Sequence, residues 1–454
     1  TGVFTLPTLE LDKPDGHLYC NGSSAITCDL YDWYQGTLDV GGGTFTALDI
    51  GMYNISGDYE LDGGEITLHQ DVEHYVDLAG NLTIADGVFN VYGGTGLDSY
   101  WPYLHDASLT MSGGVLDFKE SGIFVYTTGN TFTEDITAGT IRTSGSFAGD
   151  RTDFNLSGGT IELYGSGDGN LSHGTGSSFH SVTIDKGSIS RSGDQGEKVV
   201  SSTPVGRKEV QIRHRRDGSS SPVSRTQTIN ANSTLDLNGN MLIQSGTFQT
   251  NGEIIEMAGY CNIYGGVDMT DYTGHIRTGG NIYWRNGSTA NIDDGSFYCG
   301  GHWYFYEGCT VQLGVSNTVY MEGSTDSRIY CFDETGSFNE LIINKSAGDA
   351  QIYSANPDTV RVISLLDVRG GNTLDVQNGE LVVEGEILLP DNAIIQIDDY
   401  GSLVVEDIDI LGTLAVDNGS AFVHGDFILN TGGILNLTGG EVICDRAYTG
   451  NYQS

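Results

Sequence analysis

A glycine followed by a short alternating strand returns every 20 to 27 residues through the first third of this 454-residue chain. The glycines are Gly43 in GGTFTALDI, Gly64 in GGEITLHQ, Gly87 in DGVFNVYG, Gly114 in GGVLDFKE, Gly139 in AGTIRTSG and Gly159 in GGTIELYG, at intervals of 21, 23, 27, 25 and 20. The C-terminal part repeats more tightly. Val383 opens VEGEILL, Val405 opens VEDIDIL, Val423 opens VHGDFIL and Ile443 opens ICD, at intervals of 22, 18 and 20. Apolar and polar residues alternate within each unit, which puts one row of side chains inside and the other outside a strand. No segment keeps apolar residues at helical spacing over three turns. Strands this short, joined by Gly, Asn and Asp at a fixed period, bury a continuous core only when coil stacks on coil. The expected fold is therefore all-β, a right-handed parallel β-helix (β-solenoid) with rungs of about 18–27 residues.

Composition agrees. The 66 glycines supply corner conformations, and the 7 prolines are few because each interior strand must donate its ladder hydrogen bonds. Coiled coil and collagen are excluded by the same counts. With 60 Asp and Glu against 20 Lys and Arg, the net charge of −40 argues against binding nucleic-acid phosphates or anionic lipid, both of which need a basic surface. No apolar stretch is long enough for a transmembrane helix. The chain starts at Thr1 without a basic, then apolar, leader, as a secreted chain does after cleavage, so the expected location is secreted, extracellular or at the cell surface.

A β-sandwich array is the rival fold, and the aromatic residues argue against it. GGNIYW at 279–284 and GGHWYF at 300–305 are offset by 21 residues, which sets Ile282 beneath Trp303, Tyr283 beneath Tyr304 and Trp284 beneath Phe305. A longer duplication overlies the short one. TIELYG at 160–165 and FHSVTIDK at 179–186 match TVYMEG at 318–323 and FNELIINK at 338–345, and the copies lead into TLDLNG at 234 and TLDVQNG at 373. This order of segments, with a GGxW turn, resembles the repeat modules of bacterial secreted and cell-surface parallel β-helix proteins of the Bacteroidetes-like adhesin or surface-fibre type, over roughly residues 155 to 450. The resemblance implies a β-helix fold and a surface role, and no particular activity.

Three regions are expected: an N-terminal cap over 1–35, a first solenoid array over 36–230, and a second over 231–454. Within the first, residues 186–227 depart from the pattern. Nine of the twenty basic residues fall between Lys186 and Arg225 with four acids, so this segment carries about +5 and the remainder about −45. It reads as a surface loop, as the product of a compensated pair of reading-frame errors, or as a basic arm that docks on an acidic face of a neighbouring copy. Seven cysteines stand at 20, 28, 261, 299, 309, 331 and 444, none in a CxxC knuckle, and Cys20 and Cys28 are close enough to clip the N-terminal segment by a disulfide.

Candidate chemistry is sparse. The carboxylate pairs Asp293 with Asp294, Asp398 with Asp399, and Asp407 with Asp409 stand in a chain with 60 acids, and the GHG turn and RxK strand of β-helix polysaccharide hydrolases are missing. No HxH or HExxH brings two imidazoles together, so His302 and His424 give no zinc site. GGTGLDSYW at 93–101 matches the calcium nonapeptide once, where tandem copies are needed. Asp98, Asp398, Asp399, Asp407 and Asp409 are weak calcium candidates; no other cofactor is expected. Tyr283, Tyr304 and Tyr306 form an outward strip on which sugar rings would stack, or a structural tyrosine ladder. The N-terminal segment offers a cap for one open end and the C-terminal segment offers none. The functional expectation is a non-catalytic structural subunit of an extracellular bacterial filament or surface layer, a homo-polymer self-associating end to end. The alternative is a carbohydrate-binding adhesin or a polysaccharide-degrading β-helix enzyme, with a polysaccharide as partner.

Overall fold

Period-two alternation becomes strands, and the rung period becomes register. The computed structural model describes residues 2–48, 58–69, 77–78, 80–92, 103–104, 108–119, 122–125, 133–149, 154–165, 169–173, 177–186, 228–231, 235–311, 313–314, 316–332, 337–353, 359–398 and 400–445. Every described element is a β-strand, and they form sheets of 19, 12, 9 and 2 strands. The paired strands run parallel, each against its equivalent one rung away, so the chain is a β-solenoid and not a sandwich.

One inward column can be followed through the whole 19-stranded sheet. It starts Phe4, Ile26, Phe45, Ile66, Phe89, Leu116, Ile141, Ile161, Val182. It continues Met241, Cys261, Ile282, Trp303, Ile329, Ile352, Val376, Ile397, Val416, Leu437. Nineteen strands at about 4.8 Å per step make the column about 85 Å long. Its interior members are buried, and burial of such side chains, at about 1.5–3 kcal/mol each, is what holds successive coils together. The aromatic register expected for residues 279–305 is the observed one: Ile282 pairs with Trp303, Tyr283 with Tyr304, and Trp284 with Phe305. Trp303 is fully buried among Phe297, Phe305 and Phe338, with ring centroids 5.5 to 5.7 Å away, close to Trp284 at 6.3 Å.

Several details differ from the expectation. Val383, Val405 and Val423 do stack, but the next partner is Cys444 rather than Ile443, a one-residue slip that turns Ile443 outward. Val3–Tyr19, which falls within the cap expected over 1–35, and Ala25–Val40, which runs across its boundary, are strands of the 19-stranded sheet, with Val3–Tyr19 at its edge. The ladder also crosses the boundary set near residue 230, since Ser181–Lys186 pairs directly with Met241–Ser245. The rest of the basic segment, 187–227, lies outside the described residues. The two copies of the long duplication keep their local pairing but occupy different faces: Thr160–Gly165 and Ser181–Lys186 are in the 19-stranded sheet, Thr318–Met321 and Ser337–Ile343 in the 12-stranded one. Both copies end in a buried lysine whose Nζ donates to a backbone carbonyl, Lys186 to Ser144 at 2.7 Å and Lys345 to Glu322 at 2.9 Å.

The repeated glycines form a corner ladder. Gly87 has φ of +89°, and a Cβ there would lie 2.6 Å from the carbonyl oxygen of Gly64, the corner glycine one rung below. The Gly87→Ala substitution should therefore cost about 1–3 kcal/mol, read as a lower urea midpoint. Gly287→Ala, at φ of +82° with nothing within 4 Å, should cost less. Equal midpoints for both variants would contradict the corner ladder.

Candidate functional site: a tyrosine and arginine face

The outward side of the 19-stranded sheet changes character between residues 260 and 353. Asn262, Tyr283, Tyr304, Tyr330 and Tyr353 follow one another in register. Two residues along each strand the side chain again points outward, giving a second column with Tyr264, Arg285, Tyr306 and Phe332, and on the other flank Tyr260, Asn281, His302, Arg328 and Gln351.

Of the two arrangements open for Tyr283, Tyr304 and Tyr306, a strip with free ring faces and a tyrosine ladder, the rings take the stacked one. Tyr283 and Tyr304 stack with centroids 4.8 Å apart and planes at 15°, and Tyr304 and Tyr330 at 4.5 Å and 3°. Tyr306 stacks on Phe332 at 5.4 Å. Rungs about 4.8 Å apart leave room for one ring thickness, so each ring covers its neighbour's face and only edges and hydroxyls reach solvent. Tyr260 and Tyr353 close the stack edge-on, at 6.0 and 5.6 Å. The arrangement is the tyrosine ladder, with little free ring face for a sugar.

Polar groups lock it. Arg285 lies 4.6 Å over Tyr283 and 4.3 Å over Tyr306, and its Nε donates to Asn262 Oδ1 at 2.8 Å. Asn281 Nδ2 donates to the Tyr283 hydroxyl at 2.6 Å. Arg328 donates from Nε to Gln351 Oε1 at 2.9 Å and from a terminal nitrogen to the Tyr330 hydroxyl at 3.1 Å. Burial, then the charges of Arg328 and Lys345, hold His302 below its ordinary pKa, and its Nδ1 accepts from the Arg328 backbone N–H at 2.9 Å. Burial first, then the neighbouring tyrosines, push Tyr304 up to about 12.

A groove on the 12-stranded sheet, of about 360 Å³, was not anticipated from the sequence. Asp236, Glu256 and Arg277 line it from successive rungs, with Glu322 beside them. Arg277 lies 3.1 Å from Glu322 and 3.6 Å from Glu256, and stacks 4.2 Å over Tyr298, which itself stacks on Tyr320 at 4.6 Å. The signal existed: aligning TLDL, IIEM and HIRT by rung superposes the three residues.

The calcium candidates separate. Asp407 and Asp409 line a second groove, of about 370 Å³, with Glu384, Glu386, Glu406 and Asp426. Asp407 Oδ1 accepts the Asp426 backbone N–H at 2.6 Å and Asp409 Oδ1 accepts from Asn430. Asp398 stands in another ladder, opposite Gln377, and accepts from Gln396 at 2.7 Å. Asp98 and Asp399 lie outside the described residues. Asp293 and Asp294 sit in the turn between Thr289–Ile292 and Ser296–Cys299. His424 Nδ1 lies 2.7 Å from Asp445 Oδ2, on the exposed side. Among the described residues no three His, Cys, Asp or Glu side chains gather in a way that would hold a metal ion.

The clip expected between Cys20 and Cys28 is not formed. Both side chains turn into the core instead, where Cys20 Sγ donates to the Thr44 carbonyl at 3.1 Å and Cys28 Sγ to that of Thr46 at 3.7 Å. Burial pushes the thiols of Cys261 and Cys299 up to about 12.

That shift has a pH signature. Unfolded, these thiols ionise near 9.0, whereas in the folded chain they stay protonated to about 12. The stability they contribute is complete below pH 9 and is lost as pH rises towards 12. The urea midpoint should fall across that window, and in a Cys261→Ala/Cys299→Ala variant it should fall less; identical curves for the two proteins would contradict the assignment. In comparisons with known proteins, the chain matches no family model, no curated protein and no solved structure.

Proposed function

We propose that the chain is a non-catalytic structural solenoid that associates end to end with further copies, in an extracellular bacterial filament or surface layer. The observation that carries this reading is the exposure of the inward column at both outermost described rungs. Leu414 and Val416 are completely buried, yet one rung on Leu435 is only half-buried and Leu437 is 49% exposed. Ala421 and Val423 are buried, and their partners Val442 and Cys444 half-buried. At the other end Phe4 is 56% exposed above Ile26.

Each end also presents a strand edge with no ladder partner among the described residues, a template for another strand. A rung laid on Leu437 covers the apolar side chains and pairs the edge, and the Phe4 end of a second copy supplies such a rung. The extracellular and bacterial parts of the reading rest on the resemblance of residues 155 to 450 to surface β-helix modules. A second reading, a solenoid that binds or cleaves a polysaccharide, is favoured by the groove of Asp236, Glu256 and Glu322, although Arg277 already engages two of those carboxylates.

Leu437→Lys puts a charge in the apolar end. It should weaken self-association at least tenfold in sedimentation velocity and leave the unfolding midpoint within about 0.5 kcal/mol of the parent, as exposed substitutions do. A parent protein that stays monomeric at every concentration would sink the end-to-end reading.

A further inference from the structure

Six arginines lie among the described residues: Arg142, Arg277, Arg285, Arg328, Arg361 and Arg369. Four of them pair with carboxylates, Arg142 with Asp117 and Glu162, Arg277 with Glu256 and Glu322, Arg361 with Glu384, and Arg369 with Asp367. Arg285 and Arg328 have no carboxylate partner among the described residues, in a chain with 60 acids to 20 bases. Both stand on the tyrosine face.

Their guanidinium groups are nevertheless fixed. Arg285 is held between two tyrosine rings with its Nε on Asn262, and Arg328 is held by Gln351 and the Tyr330 hydroxyl. Ordering has been settled before any ligand arrives, and the remaining N–H donors form the planar fork that binds carboxylates in two-point fashion. Arg285 lies two residues beyond Tyr283, and Arg328 two residues before Tyr330, two rungs further along. At about 4.8 Å per rung and about 3.3 Å per residue, the two are about 16 Å apart on a diagonal. Arginine and tyrosine are also the residue types that anchor protein interfaces.

The anions that complement this face are present on the same molecule. Glu384, Glu386, Glu406, Asp407, Asp409 and Asp426 are exposed around one groove, and of these only Glu384 has a salt bridge among the described residues. Asp407 and Asp426 lie one rung apart, like charge over like charge, which an incoming cation relieves. We infer that the tyrosine and arginine face docks side by side on the acidic groove of a second copy of the chain, with Arg285 and Arg328 as its anchors. The two surfaces differ, so the contact is heterologous and propagates into a sheet or bundle rather than closing as a dimer. The inference rests on the self-association reading and adds a side contact to the end contact.

The test uses the full chain carrying Leu437→Lys, so that end-to-end stacking and side contact fail separately. At about 0.15 M salt, where charges more than about 8 Å apart are screened, sedimentation velocity should show association. Arg285→Glu/Arg328→Glu should weaken it at least tenfold, and Glu386→Lys/Asp407→Lys likewise. Mixing the two charge-reversed proteins should restore it. If the arginine reversal unfolds the chain, Arg285→Gln/Arg328→Gln, which keeps amide hydrogen bonding, should still weaken association tenfold. Folded reversals that sediment like the parent, or a mixture that stays monomeric, would overturn the inference. So would a Leu437→Lys protein that binds polygalacturonate through the two arginines while remaining a monomer, because the partner would then be an acidic polysaccharide.

Discussion

In-register parallel stacking sets every side chain about 4.8 Å from its equivalent one rung away, and the rest of the molecule follows from that spacing. Inside, it lets nineteen strands share one apolar column from Phe4 to Leu437. At the corners it excludes a Cβ, because one on Gly87 would run into the backbone carbonyl of Gly64 one rung below. Outside, each residue must be compatible with the residues above and below it. Tyrosine on tyrosine meets that condition by ring stacking, as Tyr304 on Tyr330 shows; carboxylate on carboxylate does not unless a cation intervenes. Arg277 provides the cation between Glu256 and Glu322, while the carboxylates of Asp407 and Asp426 have none among the described residues.

The solenoid was legible because alternation and rung period are both written locally. GGNIYW and GGHWYF differ by one rung, so their offset is the register. What was not legible is whatever depends on the third dimension of the coil. A strand pattern says which side chains point inward but not which face of the coil the strand occupies, so the copies at 160–186 and 318–345 look equivalent and lie in different sheets. In the short strand Glu441–Cys444, the β-branched Ile443 suggested an inward position, yet Val442 and Cys444 take it. Ring orientation was hidden too: spacing placed Tyr283 beneath Tyr304, but only the stacking geometry shows that their faces are turned to each other. The eight-residue interval between Cys20 and Cys28 suggested a clip, whereas each thiol meets a carbonyl of Thr44–Ala47.

The proposed contacts divide the surface by chemistry. Apolar side chains are uncovered at the ends of the column, the guanidinium groups without a carboxylate partner among the described residues stand on one face, and a dense row of exposed carboxylates stands on another. The charge of −40 is therefore less informative than its distribution. A uniformly acidic rod repels its copies along its whole length, whereas a rod with a face whose arginines are not neutralised by carboxylates has a preferred way to lie against a neighbour once salt screens the rest. The acidic groove around Asp407 is then part of the proposed assembly surface.

All of this depends on a single uninterrupted ladder, including the step where Ser181–Lys186 stacks on Met241–Ser245 across the atypical segment. Nitroxide labels at Thr183 and Gln377 test it most directly by pulsed electron paramagnetic resonance. The two positions belong to one outward column, seven rungs apart. At about 4.8 Å per rung the account predicts a narrow distance distribution centred near about 34 Å, broadened only by the label linkers. A broad distribution, or one centred beyond about 45 Å, well outside that rung spacing, would show that the ladder is broken between residues 186 and 241 and would contradict the continuous solenoid.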